Sequence, residues 1–337
     1  MEDNKDDNES AEKSDKIFFH VQTDGSVIQI EENKSSEDTE IPYEEVSVIS
    51  EELNKYHSYF DTLVLSGGSV RGVGVLGALH YAKMNLFIEN ITTFVGVSSG
   101  AMICYLLAIG YTPVELIKSV CINQDFMQKL QNFSFINMVS GEGATSYNPI
   151  NDILEKLTID KIGRFVTLKS LKETFGKTLI CGTFNYTQGR AEYLSSKNYP
   201  DMPCLTAIRL SANLPLFFKH YKYMGNYYID GGIADNFPIQ LVDNPENRVL
   251  GFLLLPKHQD RNPTELNILE FIYSLFFVPS NKAMEYKSEQ ISDCIIVKLR
   301  LNNMKVFNFD VSKTIILDMF SNGFQLAKKF FENKELI

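Results

Sequence analysis

Residues 94–100, FVGVSSG, close one apolar, β-branched run and lead into another that begins at Ala101. The whole stretch 90–114 is 25 residues without a charge, which is long enough for a bilayer span. Gly96, Gly100, Gly110 and Pro113 divide it, and serine and threonine hydroxyls are scattered along it. Residues 92–97 suit a buried strand, and 101–110 suit a helix that ends at Gly110 ahead of Pro113. The pattern therefore predicts a strand, a sharp turn on Ser98-Ser99 and a helix, in place of a membrane span. Such a unit belongs to an α/β domain built on a parallel sheet.

In a turn of the form GxSxG the flanking glycines let strand and helix approach, and the middle serine projects its hydroxyl. Gly96 and Gly100 bracket Ser98, which makes Ser98 the candidate nucleophile and Ser99 its small neighbour. A serine hydroxyl reacts only when a base takes its proton and donors hold the oxyanion that follows. Upstream, residues 61–84 read DTLVLSGGSVRGVGVLGALHYAKM: an apolar strand, a glycine-rich turn and a helix starting near Gly72. Bare N–H groups at such a helix start suit a phosphate or a developing oxyanion. The Lys-Ser/Thr ending of a P-loop is missing and the Rossmann glycine spacing is not met, which favours the oxyanion. Downstream, YKYMGNYYIDGGIADNFP (221–238) predicts two tyrosine-rich strands around Gly225-Asn226, followed by Asp230 directly before Gly231-Gly232. By itself Asp230 also fits a turn aspartate bonded to its own backbone.

The net charge of −10 is unevenly spread. Residues 1–60 carry 17 acids against 5 bases, whereas residues 61–337 carry 25 against 27. The first 58 residues read as an acidic, solvated extension, with a small hairpin predicted at 17–30 around Asp24-Gly25. Residues 59–337 then form one domain, with a 44% apolar chain large enough for a sizeable core. No repeat and no basic stripe with interleaved aromatics occurs, so nucleic-acid binding finds no support. The five cysteines are far apart and mostly in apolar runs, as expected of reduced thiols in an intracellular protein. The acidic start lacks a signal-peptide pattern, so a cytoplasmic or peripherally membrane-associated chain is expected. No His, Cys, Asp and Glu spacing calls for a metal, and no cofactor is expected.

Taken in order, SGGSVRG, GVSSGA and DGG resemble the patatin-like phospholipases. The resemblance extends through KTLICGTFNYTQGRAEYLSS and PCLTAIRLSANLPLFF, the latter similar to the family's helix of the type A-x-R-x-S-x-x-x-P. It covers about residues 60–245 and is weaker over the helical part, 262–337. It implies a three-layer α/β fold, with a central, mostly parallel sheet flanked by helices. It also implies a serine–aspartate dyad without histidine: Ser98 as nucleophile and Asp230 as base, with Gly67, Gly68 and Ser69 as the oxyanion hole. Arg71, Gly72, Gly96, Gly100, Gly231 and Gly232 match the supporting motif positions. The implied substrate is a phospholipid or neutral lipid, met in transient contact with a lipid surface. Where family members usually carry a third glycine this chain has Ser69, which costs strain if that position needs a positive φ.

Two alternatives stay open at this level. An ordinary Ser-Asp-His esterase needs a histidine after Asp230, and only His258 follows it. A catalytically weakened lipid-binding scaffold would follow if Ser69 spoils the glycine-rich turn. Residues 262–279, NPTELNILEFIYSLFFVP, predict a helix capped by Asn262 and ended by Pro279, apolar nearly all round. It is too short to span a bilayer, and a core helix is favoured over one that docks on membranes or covers an acyl pocket. SKTIILDMFSNGFQLAKKFF (312–331) predicts a packing helix.

Overall fold

The computed structural model describes residues 17–21, 27–31, 55–122, 129–130, 133–256, 268–291, 293–301 and 311–333. Within the acidic extension, strands β1 (Ile17–Val21) and β2 (Val27–Glu31) pair antiparallel, with His20 opposite Ile28. Asp24-Gly25, the expected hairpin turn, lies outside the described residues.

The domain is organised by a second, eight-stranded sheet. Its strands are β3 (Thr62–Leu65), β4 (Thr93–Val97), β5 (Thr178–Asn185), β6 (Arg190–Leu194), β7 (Tyr221–Tyr223), β8 (Asn226–Asp230), β9 (Val249–Pro256) and β10 (Ile295–Leu301). Their order is β10-β9-β3-β4-β5-β8-β7, with β6 also pairing β5. From β10 to β5 all neighbours are parallel, and the pairings of β5 with β6 and β8 are antiparallel.

Side chains alternate between the two faces of the central strands, and both faces are covered. Leu63, Leu65, Phe94, Leu250, Phe252 and Leu254 join the larger core. Val64, Val95, Val249, Leu253 and Leu255 point into a smaller one with Phe237, Ile239 and Met284. That explains why TLVL and VLGFLLLP are continuous apolar runs without polar alternation.

The helices are α1 (Gly72–Met84), α2 (Ser99–Ala108), α3 (Pro113–Ile122), α4 (Phe135–Val139), α5 (Asn148–Ile162), α6 (Leu168–Phe175), α7 (Cys204–Ser211), α8 (Ile268–Gln290) and α9 (Lys313–Glu332). The packing helix expected at the C-terminus is α9, which starts on a Ser312 cap and buries Ile316, Met319, Phe320, Phe324, Ala327 and Phe331. It crosses α1 so closely that a Cβ on Gly77 would collide with the Phe320 carbonyl, and one on Gly323 with the Gly74 carbonyl. A larger residue at either position forces the two helices apart.

Helix α8 departs from expectation in two ways. It continues through Pro279 to Gln290 instead of ending there. Proline removes one helical hydrogen bond and crowds the preceding turn, but the second half of α8 is held by tertiary contacts. Ser280 Oγ donates to the Gly232 carbonyl, Lys287 Nζ to Asp235 and Arg300 to Glu285. Nor is its first half a core helix, because Phe271, Leu275, Phe276 and Val278 are exposed, and of the described side chains before Pro279 only Tyr273 is buried. The expected cap at Asn262 and Pro263, like His258, lies outside the described residues.

Candidate active site

The apolar strand β4 delivers Ser98 to the start of α2, in the turn that the glycine spacing predicts. Ser98 has φ 53° and ψ −124°, a left-handed strained conformation for a non-glycine residue. The flanking glycines make that turn sterically feasible. A Cβ on Gly96 would sit 2.6 Å from the Gly100 carbonyl and the Ala101 nitrogen, and one on Gly100 would sit 2.6 Å from the Leu65 carbonyl. The elbow is thus pressed against both its own helix and the end of β3.

Sheet register brings the candidate base to the candidate nucleophile. Val97 of β4 lies opposite Gly182 of β5, and Asp230 of β8 lies opposite the next residue, Thr183. Ser98 and Asp230 therefore flank the same two residues of β5. Ser211, at the end of α7, joins the same point: it accepts the Ser98 N–H at 2.9 Å and donates to the Gly182 carbonyl at 2.6 Å.

Asp230 is almost fully buried. Its Oδ1 accepts the Gly232 N–H at 2.7 Å, the local turn bond foreseen for an aspartate before two glycines. Its Oδ2 is buried without a hydrogen-bond partner among the described residues. Burial raises the carboxyl from 3.8 to about 6, and the nearby Ser98 hydroxyl and the Gly232 N–H moderate the rise. An acid poised there is mostly ionised at neutral pH yet readily accepts a proton.

The glycine-rich turn sits at the end of β3, beside the elbow at the end of the neighbouring parallel strand. Ligands of open α/β sheets bind at these carboxyl ends. Ser69 has φ 53°, so the position occupied by serine is one that favours glycine. The Gly67 N–H reaches Asn236 Oδ1 at 3.1 Å, and Asn236 Nδ2 donates back to the Gly67 carbonyl at 3.1 Å. The Gly68 N–H donates to Ser99 Oγ at 3.1 Å. Arg71 Nε reaches the Gly68 carbonyl at 3.4 Å, which gives this cation a part in holding the turn. Gly72 opens α1 with only ordinary contact distances around a Cβ, whereas one on Gly231 would strike the Gly182 carbonyl.

Comparison with known proteins now bears on this geometry. Residues 63–243 match the model of the patatin-like phospholipase family. The chain belongs to the patatin-like phospholipases. It is 39% identical over 199 residues to "Probable lipid hydrolase 463L" of invertebrate iridescent virus 6, an alignment covering 56% of this chain and 66% of that one. It is 28% identical over 271 residues to uncharacterized protein R571 of Acanthamoeba polyphaga mimivirus, covering 76% and 89%. VipD of Legionella pneumophila has a similar fold, with a TM-score of 0.51 at 16% identity, covering 94% of this chain and 70% of VipD.

The patatin-like domain draws its candidate site from four separated segments: the 67–71 turn, the 96–100 elbow, the end of α7 and the 230–236 turn. Ser99, Ser211 and Asn236 received no role from the sequence, because each acts through a hydroxyl or amide on a partner remote in the chain. The block A-x-R-x-S-x-x-x-P carried the only advance signal for one of them, Ser211. Among the described histidines, His80 and His220 lie elsewhere. His80 packs against Phe320 and Phe324, and burial lowers it to about 4. His220 lines a cavity of about 950 Å³ beside Arg209 whose walls include neither Ser98 nor Asp230. No helix among the described residues is long and apolar enough to cross a membrane.

Proposed function

We propose that this chain hydrolyses carboxylic ester bonds of phospholipids or neutral lipids through an acyl-enzyme on Ser98, with Asp230 as the proton acceptor. One observation carries the assignment of roles: a strained elbow serine beside a buried carboxylate whose Oδ2 has no hydrogen-bond partner among the described residues and whose pKa is raised to about 6.

In the first half-reaction the Ser98 Oγ attacks the ester carbonyl as its proton passes to Asp230. The carbonyl π pair becomes the oxyanion, which faces the glycine-rich turn, where Gly68 and Ser69 N–H groups are the candidate donors. Collapse of the intermediate breaks the bond to the alcohol, which leaves with the proton from Asp230. In the second half Asp230 takes a proton from water, and the resulting hydroxide oxygen attacks the acyl carbon. That proton then returns to Ser98 Oγ as the fatty acid departs, restoring both groups. Gly67 is held by two bonds to Asn236, through its N–H and its carbonyl, and is assigned to support; the Gly68 N–H has a single side-chain acceptor, Ser99 Oγ, which it exchanges for the oxyanion as that charge develops.

The test is hydrolysis of a phospholipid and neutral-lipid panel read by product mass. Ser98→Ala and Asp230→Asn each abolish it, and His258→Ala leaves it largely intact. A fluorophosphonate probe labels the wild-type chain at Ser98. Failure to label would favour a lipid-binding scaffold, and loss of activity in the histidine variant would favour a Ser-Asp-His esterase.

A further inference from the structure

Resting on that reading, we propose that α4, the 214–217 loop and the first half of α8 form one apolar face that docks the domain on the lipid surface holding its substrate. Phe135, Ile136 and Val139 of α4 are exposed by 65%, 80% and 70%, and Leu275 of α8 by 57%. Phe133, Leu216, Phe271, Phe276 and Val278 are exposed as well. A water-facing surface seldom gathers this many large apolar side chains.

The two helices converge on the same short loop. The Phe133 ring meets Phe217 edge-on at 5.1 Å, and Phe217 lies 6.5 Å from Tyr273 of α8. Tyr273 also donates its hydroxyl to the Pro215 carbonyl at 2.9 Å. On the α4 side, Ser134 N–H reaches the Ala144 carbonyl and Ala144 N–H the Leu216 carbonyl, both at 2.8 Å. This loop begins just after Asn213, whose carbonyl accepts the Asp230 N–H at 2.9 Å. On the inner side of α8, Phe277 comes within 3.0 Å of where a Gly232 Cβ would sit. The face thus borders the candidate active site.

Charge placement decides the occupant. No Asp, Glu, Lys or Arg occurs at 133–139, 214–217 or 271–281. Along α8 the inward stripe is Tyr273, Phe277, Ser280 and Met284, while Phe271, Leu275 and Val278 form a second, outward apolar stripe. Beyond Pro279 the outer side becomes polar, with Lys282, Tyr286 and Glu289 exposed. A helix whose large exposed side chains are apolar from Phe271 to Val278 and polar or charged from Lys282 onward marks a depth boundary suited to a membrane interface. With +2 over residues 61–337, anionic headgroups are not required.

Flotation of the full chain with phosphatidylcholine vesicles tests this, with Ser98→Ala present to keep the lipid intact. The parent chain floats. Ile136→Asp combined with Val139→Asp, and separately Leu275→Asp, reduce the bound fraction about tenfold or more. Tyr286→Asp, beyond the boundary on the same helix, binds within about twofold of the parent. With Ser98 restored, the ratio of vesicle hydrolysis to hydrolysis of a water-soluble short-chain ester falls in the patch variants by a similar factor. Unchanged flotation in those variants, an equal loss in Tyr286→Asp, or a dimer on gel filtration that the patch variants dissolve would each overturn the proposal. If instead Ser98→Ala still hydrolyses the soluble ester, the catalytic reading fails while the flotation comparison stands by itself.

Discussion

The backbone N–H of Gly68 donates to the Ser99 hydroxyl at 3.1 Å, so the residue next to the proposed nucleophile fastens the glycine-rich turn to the elbow. Two elements 31 residues apart in sequence are thereby held in register. An oxyanion donor misplaced by even a fraction of an ångström loses much of its effect. Ser99→Ala should lower kcat about tenfold with a smaller effect on KM, and Ser99→Thr should restore part of the loss. Equal kcat in all three proteins would remove Ser99 from any positioning role.

Ser69 tests what the strained turn needs. At φ 53° an L-residue costs on the order of 1 kcal/mol. Glycine would relieve that strain while adding a similar entropy to the unfolded chain. Ser69→Gly should therefore change stability by less than about 0.5 kcal/mol and leave ester hydrolysis within about threefold. Ser69→Val, β-branched at the same φ, should lower stability by about 1–2 kcal/mol. Denaturant midpoints for the three proteins, with rates on one ester, check both statements.

Burial of Asp230 links activity and stability in opposite directions. With Asp230 as the proposed proton acceptor the ionised form is the active one, so log kcat/KM should rise with unit slope as pH increases to about 6 and level off above it. Stability follows the reverse course. Because the folded carboxyl is raised from 3.8 to about 6, the folded state binds the proton more tightly than the unfolded state. The associated stability is present below about pH 4 and is lost as pH rises through about 6, on the order of 3 kcal/mol in all. Asp230→Asn keeps an acceptor for the Gly232 N–H and carries no charge. It should melt several degrees above the wild type at pH 8 and lose that advantage below pH 4, as thermal melts across pH would show.

The local geometry of the candidate site was legible because glycine and burial leave few choices. Gly96 and Gly100 are forced by contacts with the backbone of α2 and β3, and that steric demand fixes Ser98 between them. Continuous apolar runs at 62–65 and 249–256 reveal strands covered on both faces. What escaped notice depends on partners distant in sequence: Asn236 acts on Gly67 across 169 residues, and Ser211 on Ser98 across 113. No spacing rule encodes such pairs. Helix α8 misled for a related reason. Pro279 is a local stop signal, and it is outweighed by bonds that Ser280, Lys287 and Glu285 make to other elements. Its apolar outer stripe looks like a core face until the fold leaves it uncovered.

Asn236 joins the two halves of the site, and this makes it a probe of both. Its amide grips Gly67 through N–H and carbonyl, while its Oδ1 and Asp230 Oδ1 both come within 3 Å of the point where a Gly232 Cβ would lie. Asn236→Ala removes the grip, so kcat should fall about tenfold to a hundredfold as the turn loses its hold. Asn236→Asp keeps an acceptor for the Gly67 N–H but sets a second carboxylate beside Asp230. Like charges at this separation disfavour ionisation of the pair. The acid limb of the pH–rate profile should then move upward from about 6 by roughly one unit or more. In Asn236→Ala it should stay in place. An unmoved limb in the aspartate variant would mean that the proton lost near pH 6 does not belong to Asp230.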